Sequence, residues 1–194
     1  MGILLLSLVL VRVVGGPIRR MRPYADLFLL GSAFLLLETR AVTGFALLFG
    51  TTWVVNAIVF AGVLLVVLLA VEVTRRIRTP PVPVVYGLLA ASLGLAALLP
   101  PTLLLGLPVP LRALAAVVIA FLPVFFANLV FAKRFAETAD PTSAFGANLL
   151  GAMLGGCLEY LSLLVGYQAL LLVAGVLYLG AFLLLPRRVP VAAG

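Results

Sequence analysis

The chain has 194 residues, of which 65% are apolar and only 10% charged, with a formal net charge of +7. A soluble domain of this length has too little interior for so much apolar surface, so the surplus must face lipid or other chains. Histidine is absent, which removes imidazole-ligated haem or chlorophyll, His-containing zinc sites, and Ser-His-Asp or Cys-His catalysis. The one cysteine, Cys157, excludes an intrachain disulfide.

The first apolar run, "ILLLSLVLVRVV" at 3–14, is shorter than the ~20 residues that a helix needs to cross a ~30 Å hydrocarbon core. It is expected to be either a short helix whose Arg12 reaches the interface or the remnant of a helix from a longer parent protein; no positive residue precedes it, so it does not read as a signal peptide. Six longer segments follow, at about 26–49, 52–72, 82–99, 109–132, 142–165 and 167–185. Pro80, Pro81, Pro83, Pro100, Pro101, Pro108 and Pro110 punctuate the connections, where missing backbone donors do little harm. The fold expected is an all-α integral membrane protein. A hydrophobic segment and basic linker at 1–23 precede a six-helix transmembrane bundle at 24–186 and a basic tail at 187–194.

Charge orients these segments. Arg19, Arg20, Arg22, Arg75, Arg76, Arg78, Lys133, Arg134, Arg187 and Arg188 flank the segments on one side, and the alternate loops carry only Arg112. The positive-inside rule places the basic side and the C-terminus in the cytoplasm, as expected of a multi-pass membrane protein. Positives held in loops between apolar runs exclude a nucleic-acid interface. Trp53 and Tyr86 stand near segment ends, as aromatic belts require. In "KRFAETADPTS" at 133–143, Asp140-Pro141-Thr142-Ser143 supplies a turn and capping oxygens for the fifth helix.

The polar residues inside the segments are Glu38, Arg40, Asn56, Asn128, Asn148 and Glu159, with Tyr160 beside the last. Counted from the outer ends at ~1.5 Å per residue, Arg40 and Glu159 lie within about 6 Å of the same depth. They are expected to pair across helices, whereas Glu38 and Arg40 diverge at i, i+2. Glu38 is left without a partner and is the stronger candidate for binding a solute, with Asn56 and Tyr160 able to join the same polar cluster. Asn128 and Asn148 are expected to form interhelical amide hydrogen bonds. Ala147, Gly151 and Gly155, with Ala152 and Gly156 alongside, form a small-residue stripe that lets two helix backbones approach closely. It reads as the packing face of a central helix or as a homodimer seam. Neither a nucleotide-binding glycine loop nor paired carboxylates on one face are present, so no catalytic residue, metal or cofactor is expected.

Three stretches together, "FLLLETRAVTGFALLFGTTWVVNAIVFAGVLL", "LPVFFANLVFAKRF" and "DPTSAFGANLLGAMLGGCLEYLSLLVGY", resemble the membrane region of large bacterial spermidine-synthase-like proteins. In those proteins an aminopropyltransferase-related domain of Rossmann type accompanies helices that look like half of a major-facilitator transporter. The resemblance covers roughly 25–185 and implies two three-helix units of inverted topology. Any transferase activity would belong to the soluble domain, which these residues do not contain, so the stretch itself is expected not to be an enzyme. Three functions follow as expectations: a non-catalytic subunit anchoring a larger membrane complex, a small transporter or binding module for a cationic solute acting as a dimer, or the membrane half of a split synthase-like enzyme. The partners implied are the bilayer and other membrane subunits or a second copy.

Overall fold

The structure, a computed structural model, describes Val9 and residues 18–185. The segment at 3–14 with Arg12, apart from Val9, and the tail at 187–194 lie outside the described residues. Every described element is helical. The six main helices are α1 (Ala25–Phe49), α2 (Trp53–Arg76), α3 (Val82–Leu98), α4 (Val109–Ala136), α5 (Pro141–Leu158) and α6 (Ala169–Leu183). Their starts match the expected segments to within two residues, but α5 stops at Leu158, seven residues short of its expected end. Four helical stretches, Arg19–Phe49, Trp53–Arg76, Val109–Ala136 and Pro141–Val165, are long and apolar enough to cross a membrane; α3 and α6 are apolar but shorter.

Local chemistry sets the boundaries. Gly50, at φ 93°, ends α1 by donating its N–H to the Ala46 carbonyl at 2.9 Å, a conformation that L side chains rarely adopt. Thr52 then caps α2, its hydroxyl accepting from the Val55 N–H. Asp140 caps α5 as its sequence suggests, accepting from the Ser143 N–H at 3.1 Å and from the Ser143 hydroxyl at 2.6 Å. Those two bonds hold the Asp140 carboxyl below the usual aspartate range. Past Leu158 the chain tightens through a 3-10 turn at Glu159–Leu161 and one more helical turn, Ser162–Val165, before Gly166 stops it at φ 84°.

Side-chain contacts give the helix directions. Tyr24 meets Asp140, Ser32 meets Gly151 and Thr39 meets Glu159, so α1 and α5 run parallel. Asp26 meets Arg134 and Phe45 stacks on Phe121, so α1 and α4 are antiparallel. The first helix of each half packs on the second and third helices of the other: α1 on α5 and α6, α4 on α2 and α3. Arg22, Arg75, Arg76, Lys133 and Arg134 all gather at one end of the bundle, the basic end. There the Lys133 ammonium donates to the Thr79 hydroxyl at 2.8 Å and ties α4 to the α2–α3 connection.

The centre of the bundle is α1, not α5. About half of α1 is buried, 12 of its 25 residues, against a third of α5, six of 18. The small-residue stripe of α5 is used inside the chain, against α1. A methyl on Gly151 would stand 1.8 Å from the Phe28 carbonyl oxygen, and one on Gly155 2.5 Å from that of Ser32. Gly31 answers from α1, where a methyl would stand 2.2 Å from the Asn148 carbonyl oxygen. The Ser32 hydroxyl donates to the Gly151 carbonyl at 2.8 Å across this contact, and Ala147 is buried in it. Gly156 and Ala152 flank the contact, Gly156 toward Leu35 and Ala152 along an internal cavity. The stripe is therefore filled by α1 and is not a free dimer seam.

Candidate functional site

The consecutive residues Glu38, Thr39 and Arg40 point three ways from α1, as a rotation of about 100° per residue requires. Thr39 faces α5, its hydroxyl donating to Glu159 Oε2 at 2.8 Å. Arg40 turns inward instead. It is 6% exposed, and one guanidinium nitrogen donates to the Ala96 carbonyl of α3 at 2.9 Å. The expected Arg40–Glu159 pair is not formed, because the two residues lie on different sides of α1.

Glu38 and Glu159 come together instead. Both line a groove of about 340 Å3 between α1, α2 and the end of α5, with Leu35, Thr39, Val42, Thr43 and Phe60. Glu159 has the Thr39 hydroxyl; Glu38 has no hydrogen bond or ion pair among the described residues. Thr43 directs its hydroxyl back to the Thr39 carbonyl at 2.9 Å. Two carboxylates, two hydroxyl oxygens and an exposed aromatic ring form a surface suited to a cation, with apolar walls for an alkyl body. No group of three or more metal-ligating side chains occurs among the described residues, so the donor set suits an organic cation better than a transition metal.

Other expected members fall elsewhere. Asn56 is half-buried one turn before Phe60 and does not line the groove. Tyr160, 67% exposed, does not line it either. The amides do not bond between helices: Asn128 donates to the Val124 carbonyl of its own helix at 2.8 Å. Asn128 and Asn148 instead line one internal cavity of about 160 Å3 with Tyr178. Trp53 is exposed at the start of α2, as a belt residue would be, whereas Tyr86 is buried edge-on against Phe182 and belongs to the core.

Sequence reasoning missed the one buried ion pair among the described residues. Arg134, read as a loop charge, pairs with Asp26 at the basic end, and both side chains are almost wholly buried. The available signal was positional: an acid opening the first helix and a base closing the antiparallel fourth share one depth. Neither a family model, a curated protein nor a solved structure matches the chain.

Proposed function

We propose that this chain is a multi-pass protein of the bacterial inner membrane that binds a cationic, alkyl-ammonium solute in the groove of Glu38 and Glu159. The reading is carried by one observation: two carboxylates converge on a single groove that contains no basic side chain. Ionisable residues within membrane spans face the bundle interior or a water-filled cavity and mark solute pathways. The crossed packing of the two helix triplets supports six spans in a half-transporter arrangement. At about 26 and 22 Å, α3 and α6 require modest thinning of the bilayer or use of their flanking residues. The basic end lies in the cytoplasm on this reading, and the groove sits in the outer half.

The groove opens on the flank of the bundle between α2 and α5, where its carboxylates would meet hydrocarbon unless a neighbour covers them. That favours a second reading alongside the first, in which the chain is a non-catalytic subunit of a larger membrane complex and another chain or copy closes the groove. Kinship with spermidine-synthase-like membrane regions belongs to the same proposal. It rests on the motifs around Glu38 and Glu159 and assigns any aminopropyl transfer to a separate domain.

The test is equilibrium dialysis of labelled putrescine with the detergent-purified protein. Saturable binding that falls at least tenfold in both Glu38→Gln and Glu159→Gln supports the groove. Binding that is absent in the wild type, or indifferent to both changes, rules it out.

A further inference from the structure

Arg40 presents a problem that the acidic groove does not solve. Its guanidinium is nine-tenths buried and carries a permanent charge, because arginine does not deprotonate in proteins. It forms no ion pair among the described residues. The Ala96 carbonyl satisfies one donor, while Nε has no partner. An uncompensated buried charge is among the costliest features a fold can carry, and it persists where something neutralises it.

The structure offers room for that neutraliser. Arg40 lines a small cavity of about 20 Å3 with Gly44, Phe45, Pro101, Leu104 and Ala116 among its walls. A space of that size admits one particle near the dimensions of a water molecule. Apart from the guanidinium, the side chains that line it are apolar and supply no competing hydrogen-bond donor or acceptor. Pro101 and Leu104 belong to the α3–α4 connection at the end of the bundle opposite the basic residues, so the cavity lies next to that surface.

We infer that Arg40 and this cavity form a binding site for one small inorganic anion of chloride size. The anion accepts from the free guanidinium N–H groups and supplies the negative charge that Glu159 does not. Helix α1 then carries a cation site on one face and an anion site on another, two residues apart. The anion site rests on Arg40 alone and stands or falls independently of the groove.

The test measures binding of radiolabelled chloride by equilibrium dialysis, and thermal unfolding in sodium chloride against sodium gluconate at equal ionic strength. About one chloride per chain is expected, with a melting temperature roughly 5 °C higher at a hundredfold excess of chloride over its Kd. Arg40→Met abolishes both effects. Gly44→Ala serves as the second variant: its methyl meets only the Pro101 Cγ at 3.8 Å, so it folds without backbone shift while narrowing the cavity. It should weaken chloride binding at least tenfold with Arg40 intact. Identical melting in both salts with no bound chloride means that the cavity holds water only, which overturns the site. So does chloride binding that survives Gly44→Ala and, where it folds, Arg40→Met. Sodium is the cation throughout, so failure here leaves the putrescine result unaffected.

Discussion

The two ends of α1 treat charge in opposite ways. At the basic end Asp26 meets Arg134 in a buried pair, so each charge answers the other inside the chain. In the far half, Glu38 and Glu159 face one groove together while Arg40 turns to a different cavity. Opposite charges of similar depth were available there and the fold did not join them. Where a charge serves the architecture, its partner is built in. Where like charges are gathered and opposite ones kept apart, the partner on the proposed reading is a ligand.

The largest effect should come from breaking the built-in pair. Asp26→Ala leaves Arg134 buried alone and should cost about 3–5 kcal/mol. The double change Asp26→Leu with Arg134→Met should recover most of that loss, measured by thermal unfolding in detergent. Next comes the seam that holds α5 on α1. Gly151→Ala drives a methyl into the Phe28 backbone and should cost about 1–3 kcal/mol, whereas Gly87→Ala on α3, which meets nothing, should be near neutral. Smaller still is the coupling between Arg40 and Glu159. Their glutamine variants should be additive within about 0.5 kcal/mol, because no contact joins them. Last is the Asp140 cap at the basic end. Its carboxyl sits below the ordinary value of 3.8, so its contribution is complete above that pH and is lost as pH falls through the depressed value. Asp140→Asn should flatten the stability curve in that acid range and lower stability near pH 7, where the ionised carboxyl makes its full contribution.

The contrast also explains what was legible in the sequence. The start of α5 was readable because Asp140 acts locally, through its capping bonds. Depth was readable too, since it follows from counting along a helix. Azimuth was not. Arg40 and Glu159 share a depth, but one residue along α1 is a turn of about 100°, and Thr39 rather than Arg40 faces α5. The glycine stripe showed that α5 has a close-packing face without showing what fills it. Tyr86 at a segment end looked like a belt residue, and only the partner helix α6 with Phe182 makes it core.

The most direct measurement is the unfolding temperature of Glu38→Gln/Glu159→Gln in detergent, with and without putrescine. Stability equal to or above that of the wild type without putrescine, together with loss of the putrescine-induced rise, is expected of two like charges held for a ligand. A fall comparable to that of Asp26→Ala would show that the carboxylates serve the fold, and would contradict the division drawn between the two ends of α1.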